Sequence, residues 1–143
     1  LKYRDFDQLI NEVSPEDKKY LIYLKEQNEI NLFEILKQGF NEWGFGLKTK
    51  NGIRQGQIDA WAELEDDIHI LDYKTGSSKY YEKALDQLAI YTVALIKMKL
   101  VSQTKKITHS VIYPAESKIL KKQFQNAETF LKQAKPEVVE FFD

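Results

Sequence analysis

The chain has 143 residues, 43% of them hydrophobic and 13% aromatic, which is enough for one domain with a buried core and too little for two. Cysteine is absent and the two histidines are far apart, so disulfides and thiolate metal sites are excluded and any metal would rest mainly on oxygen ligands. The formal net charge of −1 gives no general attraction to nucleic acid, so DNA binding would need a local basic face.

The first part of the chain, residues 1–43, is predicted to be helical. Ser14 has the position of an N-cap, followed by proline and two acidic residues, which predicts a helix from 15 to about 28. Asn31 begins a second helix, whose apolar stripe continues to Trp43 and which ends at Gly44. These two helices precede the first strand.

The middle of the chain alternates apolar and polar residues and predicts three strands. The first covers 45–50, an Asn-Gly turn follows at 51–52, and the return strand covers 53–64. A short acidic turn at 65–67 then leads into a third strand that contains Asp72.

The C-terminal half predicts a helix, a strand and a helix. Apolar residues recur with a period of 3.6 from Tyr81 to about Leu100, which is typical of a long amphipathic helix. Residues 107–113 predict a strand and 117–134 a lysine-rich closing helix. The order of elements favours an α/β (α+β) fold with a mixed central sheet flanked by helices.

Two carboxylates and one ammonium group are expected at the end of this sheet. Side chains alternate along a strand, so Asp72 and Lys74 share a face with Ile70, while His69 takes the other face. A hairpin through 65–67 brings Asp59 beside Asp72. Hard cations such as Mg²⁺ and Mn²⁺ prefer such oxygen ligands.

The sequence around these residues resembles the PD-(D/E)xK nuclease superfamily, and more narrowly its RecB-like branch, whose pattern is G-x-I-D, I-x-D-Y-K-T-G and Q-x-x-x-Y. The matching residues are Gly56, Ile58, Asp59, Ile70, Asp72, Tyr73, Lys74, Thr75, Gly76, Gln87 and Tyr91. The resemblance implies a restriction-endonuclease-like αβββαβ core, here with an extra C-terminal helix.

The resemblance also implies roles for individual residues. Asp59 and Asp72 would hold Mg²⁺ or Mn²⁺ together with the backbone carbonyl of Tyr73. Lys74 would be catalytic in phosphodiester hydrolysis. A further pair, four residues apart on one helical face, would act around the metal and the DNA strand, and consists of Gln87 and Tyr91.

Members of the superfamily carry one more metal ligand on the first core helix. Three glutamates are candidates here, Glu29, Glu34 and Glu42, and Glu34 is the preferred one. Its alternative role is helix termination, because Asn31 and Glu34 have the spacing of a capping box.

Structural roles are alternatives for several of these residues. An Asp and a Lys two apart on a strand also form solvated ion pairs, which is the alternative for Asp72 and Lys74. Tyr91 is either a site residue or a core residue. His69 is expected to be structural, and Trp61 is expected in the core rather than as a platform for base stacking.

We therefore expect one nuclease-like domain over 1–143, with its sheet, motif and helix core at 45–134. Its expected function is that of a Mg²⁺- or Mn²⁺-dependent deoxyribonuclease, more specifically an exonuclease, in DNA repair, recombination or a helicase-nuclease protein. The alternative is an inactive domain of the same fold that binds DNA or serves as a scaffold.

The expected partners are DNA and helicase or other domains of the same protein, because the chain begins at Leu1 rather than Met, which suggests a piece of a longer protein. No membrane partner is expected, since no apolar run approaches the roughly 20 residues that cross a bilayer. A signal pattern is also missing from the N-terminus, which favours a cytoplasmic location.

Overall fold

A five-stranded sheet is the central element of the computed structural model, which describes residues 11–143. Its strands lie side by side in chain order and are β1 (Phe40–Thr49), β2 (Gly52–Glu63), β3 (Asp67–Tyr73), β4 (Lys106–Tyr113) and β5 (Lys118–Phe124). All neighbours are antiparallel except β3 and β4, which are parallel. A parallel pair needs a long crossover connection, and a helix supplies it here.

Helices cover both faces of the sheet. They are α1 (Pro15–Glu26), α2 (Leu32–Gln38), α3 (Tyr81–Lys97), α4 (Ala127–Gln133) and α5 (Pro136–Val139). Buried residues of α1 and α2 share one apolar cluster with Leu71 and Ile112, and those of α3, α4 and α5 share another with Ile70 and Val111. The mixed sheet between two helical layers confirms the predicted fold class.

None of the helices within residues 11–143 is long and apolar enough to cross a membrane.

Several predicted elements are confirmed with small changes at their ends. The Ser14 side chain accepts a hydrogen bond from the backbone N–H of Asp17 and caps α1. Strands β2, β3 and β4 and the crossover helix α3 lie where periodicity predicted them. Gly52, with φ of 125°, follows the turn that closes the β1–β2 hairpin, a backbone conformation that favours glycine. This hairpin continues past the end of β3 as a two-stranded ribbon.

The predicted end of the second helix is wrong. Helix α2 ends at Gln38, because the backbone of Gly39 is extended. A Cβ at Gly39 would lie 2.2 Å from the carbonyl oxygen of Trp61 in β2, so this close approach requires glycine. Phe40 and Trp43 belong to β1 instead. They are three residues apart and pack on the same face because Glu42 has φ of 49°, which interrupts the strand alternation and imitates helical spacing.

The predicted closing helix is also wrong in its first half. Residues 118–124 form β5, which pairs with β4 over seven residues, and only α4 is helical, capped by Asn126. Lysines occupy most exposed positions of this edge strand. Their helix propensity concealed the alternation, in which Ile119 joins one apolar cluster while Leu120 and Phe124 join the other.

Candidate active site

The site begins where the ladder between β2 and β3 stops. Their last paired residues are Ala60 and Leu71, so Asp59 and Asp72 would be the next pair. Beyond this point a side chain of β2 replaces a backbone acceptor: Asp59 Oδ2 accepts a hydrogen bond of 2.8 Å from the backbone N–H of Tyr73. The Asp59 carboxylate is thereby fixed at the carboxyl end of β3.

An irregularity in the β1–β2 hairpin gives Asp59 this position. Glu42 lies between two regular pairs of the ladder and stands opposite Asp59. Ile58 and Trp61, three residues apart, both join the apolar cluster under α3. Regular alternation would place them on opposite faces, so β2 changes face around Asp59. The change frees this carboxylate from the ordinary pleat of the strand.

Asp72 lies beside Asp59 and is almost completely buried, with 6% of its surface exposed. Burial, together with the Asp59 carboxyl, raises the pKa of the Asp72 carboxyl to about 6 against the opposing effect of the Lys74 ammonium. Lys74 Nζ is 3.0 Å from Asp72 Oδ2, yet this oxygen has no hydrogen-bond partner of normal geometry. The two groups attract each other without a directed hydrogen bond, so this buried oxygen keeps its capacity to accept.

Helix α3 extends the site beyond Lys74. The Lys74 ammonium donates a hydrogen bond of 3.3 Å to Gln87 Oε1, and Gln87 Nε2 donates one of 2.7 Å to the hydroxyl of Tyr91. Gln87 and Tyr91 face the site together because they are four residues apart on the helix. One continuous line of contacts therefore joins Asp59, Asp72, Lys74, Gln87 and Tyr91.

The chemistry of the donor groups determines which atom donates and which accepts in each hydrogen bond of this line. An ammonium group can only donate, so the oxygen of the Gln87 amide must face Lys74 and its nitrogen must face Tyr91. Tyr91 therefore accepts from Gln87 and keeps its own hydroxyl hydrogen. That hydrogen remains available to an acceptor outside the line.

Steric contacts explain why glycine occupies position 56, which precedes this line in the sequence. A Cβ at Gly56 would lie 2.7 Å from Phe45 Cζ and 3.1 Å from Tyr91 Cε1. The absence of a side chain at Gly56 thus lets the Phe45 and Tyr91 rings, 5.9 Å apart between centroids, pack over the backbone of β2. Ile58, two residues further, is completely buried beneath α3.

A family model matches residues 16–142 of this chain and describes the PD-(D/E)XK nuclease superfamily. The chain belongs to this superfamily. Its fold is therefore of the restriction-endonuclease-like type, and the chain is a nuclease-type domain. No curated protein matches this chain.

The third acidic ligand expected in the superfamily does not reach the site from α2. The backbone N–H of Glu34 donates to Asn31 Oδ1, and its carboxylate accepts a hydrogen bond from Gln38. No group of three or more acidic or histidine side chains suited to a metal occurs within residues 11–143. Glu34 therefore contacts Gln38 rather than the aspartates, while Glu42 stands opposite Asp59 in the β1–β2 ladder.

The alternative roles of three aromatic residues are resolved by their contacts. Trp61 is buried and stacks on Phe40 with ring centroids 4.8 Å apart, which confirms its core role. His69 Nε2 lies 3.0 Å from Asp67 Oδ2, on the face away from Asp72, which agrees with a structural role. Tyr91 combines both readings, since its ring packs on Phe45 and its hydroxyl reaches Gln87.

The two aspartates fit the divalent metal ion that is typical of the superfamily. Mg²⁺ keeps several waters and is usually held by one or two carboxylates together with substrate phosphates, so a pair of aspartates is a sufficient protein contribution. The buried Asp72 Oδ2 lacks a directed partner, and burial with a neighbouring carboxylate raises its pKa. Both features are expected of a carboxylate that is suited to a cation rather than to a hydrogen-bond donor.

Two hollows flank the line of contacts. The first has a volume of about 250 Å³ and is lined by Lys74, Gly76, Ser77, Tyr80, Lys83, Ala84, Gln87 and Tyr113. The second has a volume of about 440 Å³ and is lined by Phe45, Gln55, Gly56, Lys83, Asp86, Gln87, Ile90, Tyr91, Phe141 and Phe142. Sequence reasoning did not single out Tyr80 for a role. Lys83, one turn before Gln87, is one of the lysines for which the sequence raises the hypothesis of a phosphate-contacting patch, with a solvated helix face as the alternative.

Proposed function

We propose that this chain is the catalytic domain of a metal-dependent deoxyribonuclease of the RecB-like type. The observation that carries the proposal is the continuous line from Asp59 to Tyr91, in which all five side chains of the motif contact their neighbours. A solvated surface ion pair would not require the glutamine and tyrosine of a separate helix.

The two carboxylates are the proposed cation ligands, with the Tyr73 backbone carbonyl beside them. A bound Mg²⁺ or Mn²⁺ would neutralise the scissile phosphate and lower the pKa of an attacking water. Asp59 is held for this task by the Tyr73 N–H, and Asp72 is held by the end of β3. Neither carboxylate has to move far from its strand to act.

Lys74 is the proposed catalytic cation. Its ammonium has three N–H groups, of which one is directed to Gln87 and the Asp72 contact is not a directed hydrogen bond. Its side chain is 38% exposed, so a substrate can approach it. The free donors can stabilise the negative charge that develops on the phosphate in the transition state.

Tyr91 is the proposed donor to a second phosphate oxygen. Its hydroxyl hydrogen is left free by the orientation of Gln87, and Gln87 in turn fixes the ammonium of Lys74. Gln87 thus positions two groups that act on the same phosphate.

A cleavage assay on linear and circular DNA tests the proposal. Linear DNA should be degraded with Mg²⁺ or Mn²⁺ and remain intact with EDTA, and resistance of circular DNA would identify exonuclease action. The proposed setting of this activity is DNA repair, recombination or a helicase-nuclease protein of the cytoplasm, with helicase or other domains as neighbours.

Lys74→Ala separates catalysis from structure. Cleavage should slow by on the order of a hundredfold, a loss of about 3 kcal/mol, while Tm and Mn²⁺ affinity stay nearly unchanged. Lys74→Arg keeps the charge without the compact geometry and should not restore the full rate. A large fall in Tm with unchanged cleavage would identify Lys74 as a structural ion pair.

A non-catalytic DNA-binding or scaffold domain is the second candidate. It is favoured by one observation, that only two acidic side chains converge on the site within the described part of the chain. DNA binding by the wild type without cleavage under any metal condition would decide for it.

A further inference from the structure

A cationic row on α3 continues past the motif. Lys83, Gln87 and Tyr91 follow each other at intervals of four residues, so their side chains project from one face of the helix. Both hollows beside the candidate site include Lys83 and Gln87 in their walls. The hollows therefore lie on either side of this row, with Lys83 and Gln87 as the wall that they share.

The charge of Lys83 is not used by the protein itself. Asp86, the acidic residue nearest along this face, pairs with Lys135 at 3.0 Å. Among residues 11–143 the structure gives Lys83 no ion pair. An unpaired ammonium beside a nuclease site is suited to an anion, and DNA supplies one phosphate per nucleotide.

The first hollow has the size and the walls expected for a base. Its volume of about 250 Å³ is slightly below the range of about 300 to 1,000 Å³ that holds drug-sized ligands. Tyr80 is 59% exposed at its rim, and the buried Tyr113 lies in its wall. Aromatic rings of this kind stack with nucleobases in a sequence-tolerant way.

The loop that carries Tyr80 is fixed in place. The Glu116 carboxylate accepts hydrogen bonds of 2.7 Å from the backbone N–H of Ser78 and 2.8 Å from its hydroxyl. These bonds join the loop after β3 to the short turn after β4. The Lys79 ammonium lies 5.0 Å from the centroid of the Tyr80 ring and adds a second positive charge at the rim. The hollow is therefore preformed, which lowers the entropic cost of binding.

We propose that Lys83 and the Tyr80 hollow form a subsite for the nucleotide next to the scissile phosphate, with the phosphate on Lys83 and the base on Tyr80. The subsite rests on the proposed nuclease function and adds two residues outside the motif to it. It implies that the DNA strand follows a path across α3 from the Tyr80 hollow to Tyr91.

Binding of a fluorescein-labelled single-stranded oligothymidylate in EDTA tests the subsite without cleavage. Lys83→Gln should weaken binding about tenfold and reduce the slope of log K against log salt by about 0.7, as expected for one lost phosphate contact on a single strand. Lys37→Gln is the matched control, since Lys37 is an exposed lysine of α2 on the opposite face of the sheet, and should bind as wild type.

Tyr80→Ala should also bind about tenfold more weakly, while Tyr80→Phe keeps the ring and should bind as wild type. In cleavage assays with Mg²⁺, Lys83→Gln and Tyr80→Ala should raise KM with kcat nearly unchanged. Wild-type affinity of both variants, together with binding and cleavage by the wild type, would overturn the subsite and leave the function intact. A wild type that neither binds nor cleaves DNA would overturn both.

Discussion

At the scale of single residues, the buried Asp72 makes the stability of the metal-free protein depend on pH. Its carboxyl has an ordinary pKa of 3.8 and a folded-state pKa of about 6, so folding favours its protonated form. The stability that Asp72 contributes is complete below pH 3.8 and is lost as pH rises through 6. At pH 8 the ionised Asp72 costs up to about 3 kcal/mol.

Asp72→Asn should therefore stabilise the metal-free protein at pH 8. In EDTA, urea denaturation should give the variant a free energy of unfolding higher by up to about 3 kcal/mol, and this gain should disappear near pH 4. Asp66→Asn, in the exposed turn between β2 and β3, is the control and should show no such gain. A destabilised Asp72→Asn at pH 8 would mean that Lys74 compensates the carboxylate fully.

A second prediction at the scale of single residues concerns Gly56. Gly56→Ala should displace the Phe45 and Tyr91 rings, which a new Cβ would approach within 2.7 and 3.1 Å. Stability should fall by about 1 to 3 kcal/mol through overpacking, and cleavage should slow because Tyr91 leaves Gln87. In β1, a Cβ at Gly44 would meet its nearest neighbour at 3.9 Å, so Gly44→Ala is the control. Equal cleavage rates for the two variants would contradict the steric role of Gly56.

At the scale of elements, helix α3 is tied to β4 by a buried hydrogen bond. Thr92 Oγ1 donates to the Leu88 carbonyl, so its only hydrogen is used and His109 Nε2 must donate the 2.7 Å bond to Thr92. Burial, together with the charge of the nearby Lys122, lowers the pKa of His109 to about 3. Its neutral form is the one that folding selects.

Acid should therefore weaken the packing of α3 on β4. The unfolded chain binds a proton at His109 below pH 6.5 and the folded chain does not until about pH 3, so stability falls as pH falls between these values. Relative to His109→Gln, which does not titrate, the wild type should lose about 2 kcal/mol between pH 7 and 5. Urea denaturation at both pH values measures this difference, and parallel losses would argue against a neutral buried histidine.

The elements that sequence predicted correctly are those whose periodicity is regular. Helix α3 is buried along one face and strands β3 and β4 on both, and Asp72 and Lys74 could be placed on one face from strand alternation alone. The start of β1 could not, because the positive φ of Glu42 gives Phe40 and Trp43 a helical spacing. Strand β5 could not either, since its pairing with β4 is a tertiary interaction that lysine-rich local sequence does not report.

Sequence could not determine the contacts of single polar side chains in the site. The spacing of Asn31 and Glu34 fits a capping box and a first-helix ligand equally, and only the fold separates Glu34 from the aspartates. The orientation of the Gln87 amide likewise depends on two neighbours from different elements. The combination of Tyr80 and Lys83 depends on a loop whose position Glu116 fixes.

At the scale of the whole molecule, metal binding should appear as thermal stabilisation. A ligand at a hundred times its Kd stabilises the folded state by about 2.7 kcal/mol, which raises Tm by about 5 to 10 °C for a protein of this size. Mn²⁺ should therefore raise the Tm of the wild type, and Asp59→Asn or Asp72→Asn should lose most of this shift. Calorimetry gives the affinities directly.

Glu34→Gln is the matched variant for this measurement. The Glu34 carboxylate contacts Gln38 rather than the aspartates, so Mn²⁺ affinity should remain that of the wild type. Identical Tm shifts in the wild type and in both aspartate variants would remove the metal site from the proposal. The family match over residues 16–142 supports the further proposal that residues 1–143 form one domain, whose unfolding should be a single transition.

The β1–β2 ribbon links the stiffness of the site to the C-terminus. Asp59 lies at the root of this ribbon, one residue past the last pair with β3, so bending of the ribbon changes the separation between Asp59 and Asp72. Two contacts brace the ribbon, Phe45 against Phe142 and Arg54 over the Phe141 ring. Phe141 and Phe142 therefore help to set how far apart the carboxylates of Asp59 and Asp72 can move, although both aspartates lie in the middle of the chain.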